Sequence, residues 1–210
     1  MAIYLSSTTR QFFKYGPEFF GCMFNIVRRT KGQIEALQAG CLWMLDNGNY
    51  TGKWTFELWQ TELYLLREFA STCLGVIPPD CVGDWKSTAD LFWRYNQLPT
   101  NLGYKIAYAS QDGQPIDRIP WYHIDTLFIG GTNEHKRGLE AERLGLEAKQ
   151  RELWVHIGRV NSGSAMITHW PYADSYDGTT FSRHPTQQVE SIKRGLALVE
   201  TVKAQQRKLL

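Results

Sequence analysis

No apolar run in this 210-residue chain approaches the roughly 20 residues that a bilayer crossing needs, so a membrane-spanning helix is not expected. The opening Met1 to Ser7 turns polar too early for a secretory leader. Neither charge sign dominates. Lys and Arg number 23 and Asp and Glu 21, a net charge of +2, which by itself gives no electrostatic case for a polyanionic partner. The four cysteines, Cys22, Cys41, Cys73 and Cys81, show no CxxC spacing and no histidine at zinc-finger spacing. They read as reduced thiols in or near the core of a cytoplasmic protein. The five histidines form no HExxH and no spaced cluster with carboxylates, so no metal site is expected. GxGxxG and GxxxxGK[ST] are both lacking, which weakens any nucleotide-cofactor reading. There is no low-complexity stretch or evident linker, so residues 1–210 read as one domain.

What the chain does have is a repeated layout. Hydrophobic residues make up 43% and aromatics 13%. Five short apolar runs each end in a polar or glycine-rich tip. Leu42 to Leu45 leads into Asp46-Asn47-Gly48, and Leu74 to Ile77 into Pro78-Pro79-Asp80. Ile106 to Ala109 leads into Ser110-Gln111-Asp112-Gly113, Leu127 to Ile129 into Gly130-Gly131-Thr132, and Trp154 to Ile157 into Gly158-Arg159. Buried parallel strands read as continuous apolar runs, and α/β enzymes keep their chemistry at the carboxyl ends of such strands. With Ile3-Tyr4-Leu5 and Gly21 to Asn25 before them, these runs are strands three to seven. Pro171 to Ser175 is the expected eighth, ahead of a tip at Ala173 to Gly178.

Helical periodicity falls between the runs. Segments 32–39, 55–70, 87–95 and 134–150 are the expected helices, with Asp84 or Ser87 capping the third. Segment 185–209 is the longest, with Val189, Ile192, Leu196, Val199 and Val202 stepping by three or four. Alternating strands and helices predict an α/β fold, a compact (β/α)₈ TIM-like barrel with a long C-terminal helix. An open doubly wound sheet is the structural alternative.

On a barrel, the tips place Asp46, Asp80, Gln111, Asp112, Gly130, Gly131, His156, Arg159, Asp174 and Asp177 around one cleft. Asp46 and Asp174 stand out, each following a strand near a glycine. Paired carboxylates suit substitution at an anomeric carbon, one as nucleophile and one as proton carrier. A single Asp in such a place equally well caps a helix or fixes a turn. Gly130-Gly131-Thr132 suits either a phosphate or backbone hydrogen bonding to a flat ligand. Tyr50, Trp54, Tyr108 and Trp170 are candidates for stacking on a base, against packing roles in the core. His156, on a strand, reads as a satisfied core histidine.

Taken in order, the tips resemble those of the tRNA-guanine transglycosylase superfamily, most closely its DNA-acting branch of phages and bacterial modification islands. The likeness spans roughly residues 40–180. Those enzymes exchange guanine in a polynucleotide for a 7-deazaguanine such as preQ0, on a (β/α)₈ barrel without an organic cofactor. The resemblance implies Asp46 as general acid/base, with Asn47 and Gly48 beside the base. It implies Asp80 and Gln111 as readers of the base and the Gly130 and Gly131 amides facing it. It makes Asp174 the nucleophile. The partners implied are DNA or another polynucleotide and a free 7-deazaguanine base, with Arg28, Arg29, Arg159 and Arg183 as candidate phosphate contacts. A homodimer is also raised, although the family's tRNA members build much of theirs around a zinc region that this sequence lacks. The Asp-Asn-Gly and Gln-Asp-Gly tips depart from the family's LDSGG-like and QGG-like segments. Two other readings remain: a nucleoside or glycoside hydrolase with the same carboxylates, and a non-catalytic nucleic-acid-binding barrel that partners a modification enzyme.

Overall fold

In the computed structural model, the described residues are 2–25, 30–49, 52, 54–169, 171–178 and 185–207, with side chains of the last segment described for 189–205. Eight strands form one sheet: β1 (Ile3–Ser6), β2 (Phe20–Asn25), β3 (Trp43–Asp46), β4 (Cys73–Val76), β5 (Ala107–Ser110), β6 (Thr126–Ile129), β7 (Trp154–Ile157) and β8 (Ser175–Asp177). Every ladder is parallel, in the order β4-β3-β2-β1-β8-β7-β6-β5. A single parallel bridge, Val76 to Ile106, joins the two ends and closes the barrel at its weakest seam.

Around the sheet lie α1 (Arg10–Tyr15), α2 (Lys31–Gln38), α3 (Phe56–Leu66), α4 (Trp85–Tyr95), α5 (Gln97–Asn101), α6 (Asn133–Arg137), α7 (Leu139–Gln150), α8 (Gly163–Ile167) and α9 (Pro185–Arg207). The expected (β/α)₈ barrel with a long C-terminal helix is therefore the fold. Asp84 is the cap of α4, accepting from the Lys86 and Ser87 amides at 3.0 and 3.1 Å. The expected helix 134–150 is two helices, because Gly138 between them is extended. The expected 55–70 helix ends at Leu66 and continues as a 3₁₀ turn, Arg67–Thr72. The short helices α1, α5 and α8 carry too few turns for periodicity to reveal them.

The strands are apolar along their length because both faces are covered. Tyr4, Trp43, Leu45, Val76, Leu127, Val155 and Tyr176 face outward into the layer beneath the helices. There Trp59 and Leu63 of α3 and Val189, Ile192, Leu196 and Val199 of α9 are buried against them. Burying one such side chain contributes about 2 kcal/mol. Ile3, Leu5, Met44, Leu74, Ile77, Ala107 and Ala109 fill the inside of the barrel. Helices α8 and α9 cross closely: a Cβ on Gly195 would lie 2.5 Å from the Gly163 Cα.

The eighth strand is displaced from its expected place. It begins at Ser175, the residue at which the apolar pattern has it end. Residues 171–174 form the turn that leads in, with the Tyr172 and Ala173 amides both bonded to the His169 carbonyl.

Candidate active site

Parallel strands put all eight carboxyl ends on one face, and a cavity of about 310 Å³ opens there. Leu5, Met23, Ile77, Ala109 and Phe128 form its apolar floor and walls. Three carboxylates line it, those of Asp46, Asp80 and Asp177, together with Arg159. A mostly apolar concavity with a few convergent polar groups is the usual form of a small-molecule site.

Asp46 is the last residue of β3 and points inward by the alternation that buries Met44 in the barrel. The Gly48 amide donates to its Oδ1 at 3.1 Å. Burial drives its carboxyl up to about 6, and the negative charges of Asp80 and Asp177 push the same way. Asp80 sits beyond β4 and is fixed from two sides. Asn47 Nδ2 donates to its Oδ1 and Gln111 Nε2 to its Oδ2, both at 2.9 Å. Burial raises its carboxyl above the ordinary range, and the two amides oppose that shift.

Asp177 ends β8. Its Oδ1 accepts from the Arg159 amide at 2.9 Å and lies 3.1 Å from His156 Nε2. That contact continues a chain inside the barrel. Trp154 Nε1 donates to Ser175 Oγ at 2.8 Å, and the Ser175 hydroxyl in turn lies 2.8 Å from His156 Nδ1. A carboxylate oxygen can only accept, so toward Asp177 it is His156 Nε2–H that donates. Two contacts on Oδ1 fix the orientation of the carboxylate, and the Phe128 ring lies tilted over His156 at 4.8 Å.

Asp174 is not in this cavity. It precedes β8, at the opposite end of the barrel. Its Oδ2 accepts from Lys149 Nζ at 2.7 Å and from the Val155 amide at 2.9 Å. Its backbone joins the start of β7 and β1 through Asp174 N to Val155 O and Ile3 N to Asp174 O. The expectation that Asp174 lies on the rim is therefore corrected: the rim position on β8 belongs to Asp177. Asp177 is on the rim as expected, and the signal that favours it over Asp174 is Tyr176-Asp177-Gly178, an apolar residue, Asp and Gly at a strand end, as at Leu45-Asp46 and Gly48.

The remaining site residues divide. Asn47 lines the cavity, while Gly48 supports Asp46 from behind. Gln111 is fully buried and does not line the cavity. It accepts from the Gly83 amide at 3.0 Å and holds Asp80. Gly130 and Gly131 form a wall, but the Gly130 amide is spent on the Ser110 carbonyl at 3.1 Å and does not face a ligand. Gly131 has φ +72°, and a Cβ there would collide with the Asp112 carboxylate. That carboxylate accepts from both the amide and the hydroxyl of Thr132, so Asp112 shapes the tip of β6. Arg159, at φ +58°, donates through Nη2 to the Gly131 carbonyl and bridges the β6 and β8 tips. Arg28, Arg29, Arg183, Tyr50 and Trp170 lie outside the described residues. Trp54 and Tyr108 pack in the outer core, against Tyr95 and Phe92. The aromatic face in the cavity is Phe128. Among the described residues no group of His, Cys, Asp and Glu could hold a metal ion, and no helix is long and apolar enough to cross a membrane.

The fold and site define a (β/α)₈ barrel with a carboxylate-lined cavity at the carboxyl ends of its strands. No family profile and no curated protein matches the sequence. Solved structures do match in fold. Tryptophan synthase from Pyrococcus furiosus superposes with a TM-score of 0.61 at 10% identity, over 93% of this chain and 97% of that one. Tryptophan synthase from M. tuberculosis gives 0.56 at 14% identity, over 94% and 89%. The alpha subunit from Legionella pneumophila gives 0.51 at 13% identity, over 94% and 88%.

Proposed function

We propose that the protein is a guanine-exchanging pentosyltransferase that replaces guanine in DNA with a 7-deazaguanine such as preQ0. The observation that carries this reading is the meeting of Asp46, Asp80 and Asp177 in one cavity with the Gly130-Gly131 wall. The chemistry needs a nucleophile, a proton carrier and a base reader within reach of one sugar and one flat ring.

Asp177 is the nucleophile in place of Asp174. Its carboxylate attacks C1′, the bond from C1′ to N9 breaks, and an ester to the sugar forms. The departing guanine takes a proton from Asp46. A carboxyl tuned to about 6 suits proton transfer in both directions near neutral pH. The entering base then gives its N9 proton to Asp46 and attacks C1′, which breaks the ester and frees Asp177. Asp80, held by Asn47 and Gln111, accepts from N–H groups that guanine and 7-deazaguanine share. Phe128 offers a face to the ring. A stacked base cannot reach such a cavity, so the target nucleotide is flipped out or single-stranded.

The test is incubation of DNA with labelled preQ0 or guanine and a search for a covalent protein–DNA adduct. Wild type should incorporate label and form the adduct, and Asp177→Ala should do neither. Guanine release without incorporation makes the protein a hydrolase. Salt-sensitive DNA binding that survives loss of both Asp46 and Asp177, with no exchange in wild type, makes it a binding module.

A further inference from the structure

A second cavity of about 160 Å³ lies beside the first, between the tips of β6 and β7. Its lining is basic and polar: Lys136, Arg137, Arg159, Asn161, Ser162 and His169. Arg159 belongs to both cavities. Lys136 is the unusual member. It is 4% exposed, and its Nζ donates to the Gly158 carbonyl at 2.7 Å. Among the described residues no carboxylate comes within ion-pair distance of Lys136 or Arg137. Burying an ammonium without a counter-ion is costly. Burial pulls Lys136 down to about 8, the nearby Arg159 and Arg137 guanidiniums add to the effect, and the more distant Asp177 and Asp112 carboxylates oppose it. His169, equally buried, is held neutral with its value lowered to about 4. It therefore adds a hydrogen-bonding group without further charge.

We propose that this cavity binds a phosphoryl group, the one attached to the nucleoside whose base occupies the central cavity. Lys136 and Arg137 supply the charge, Ser162 and Asn161 the neutral donors, and Arg159 links phosphate to sugar. Arg forks and buried Lys are the standard partners of phosphate oxygens. A sugar placed over Asp177 has its phosphate within the reach of Arg159, whose amide already bonds Asp177. The anion site stands on the cavity itself, whereas the identity of the attached group rests on the proposed function.

The experiment separates these. Inorganic phosphate is titrated into the full chain and followed by ³¹P line width, for wild type, Lys136→Met and Arg137→Ala. Each substitution should weaken phosphate about tenfold, the usual effect of losing one charged hydrogen bond. Arg137 is exposed, so its variant keeps the test valid if Lys136→Met fails to fold. Unchanged phosphate binding in Arg137→Ala and in folded Lys136→Met overturns the site, whatever the base-exchange assays report. Phosphate binding lost in the variants, with no guanine exchange in wild type, leaves the site standing and sinks the function. Deoxyguanosine 5′-phosphate and its methyl ester then separate the sources. An advantage over deoxyguanosine that survives esterification assigns a chain phosphodiester, and one that disappears assigns a terminal phosphate. No advantage for either overturns the link between the two cavities.

Discussion

Asp174 and Asp177 are three residues apart and serve opposite ends of one barrel. Asp174 lies where β8 begins, and its carboxylate ties Lys149 of α7 to the Val155 amide. Asp125 does the same at the start of β6, accepting from the Ile106 amide at 2.8 Å. Such carboxylates complete the amino ends of strands, where a (β/α)₈ barrel keeps its stability. Asp177 lies where β8 ends, beside an open cavity, with the buried His156 ring behind it instead of a lysine. The imidazole chained to Ser175 orients the carboxylate at the edge of the open cavity. A carboxylate just past a strand is a candidate for chemistry, and one just ahead of it is a candidate for stability.

The largest test of this contrast is Asp177→Asn. The amide preserves shape and can still accept from His156 and Arg159, so the fold should persist. Exchange should fall about 10⁴-fold or more, as expected for loss of a nucleophile, and the covalent DNA adduct should vanish on denaturing gels. Exchange within tenfold of wild type would remove Asp177 from the chemistry and restore the choice between the two residues.

Next comes Asp46. Asp46→Asn should slow exchange about 10²- to 10⁴-fold, the range of general acid–base catalysis. Single-turnover measurements should split by step around pH 6. Guanine release needs the protonated carboxyl and should decline above about 6, whereas incorporation needs the ionised form and should rise through the same value. Stability moves with it. A carboxyl raised above its ordinary value binds its proton more tightly in the folded state. Its stabilising contribution is thus complete below about pH 4 and is lost as pH rises through about 6. The melting temperature of Asp46→Asn should exceed that of wild type at pH 8, and the gap should close at pH 4. Equal melting at both values would mean that Asp46 titrates normally.

Smaller still is Gln111→Ala. Gln111 touches Asp80 and not the cavity, so its loss should loosen the base reader and spare the nucleophile. KM for the free base should rise about tenfold with little change in kcat. A fall in kcat alone would place Gln111 in direct contact with the reacting groups.

These distinctions were unevenly legible in the sequence. Seven strands announced themselves because helices cover them outside and Leu5, Met44, Leu74, Ile77 and Ala107 fill them inside. The eighth did not. Its inward positions are Ser175 and Asp177, and only Tyr176 between them is apolar. The apolar signal therefore falls early, on Ala173, and draws attention to Asp174, three residues ahead of the rim position. Asp46 and Asp80 were legible because each closely follows a clear apolar run. Gln111 was legible as a site residue but not as a support, because its bond to Asp80 crosses the seam between β4 and β5. The amide of Gly130 looked available because the sequence does not record that Ser110 takes it. Nothing local in the sequence predicts that the β7 tip will bury Lys136.

The smallest expected effect on exchange is the one that closes the comparison. Asp174→Asn keeps an acceptor for the Val155 amide and loses only the ionic half of the contact with Lys149. That contact is partly buried, with the Asp174 side chain 18% exposed and the Lys149 side chain 37%. Water screens such a pair, so the loss should be about 1 kcal/mol in urea unfolding. The exchange rate should stay within about twofold of wild type, because nothing between Asp174 and the cavity changes shape. Asp174→Ala removes both bonds, exposes the Val155 amide and should destabilise further, again with little effect on kcat. If Asp174→Asn instead abolishes exchange while unfolding normally, the lower end of β8 is coupled to the upper end. The division of labour between the two aspartates would then be wrong at its root.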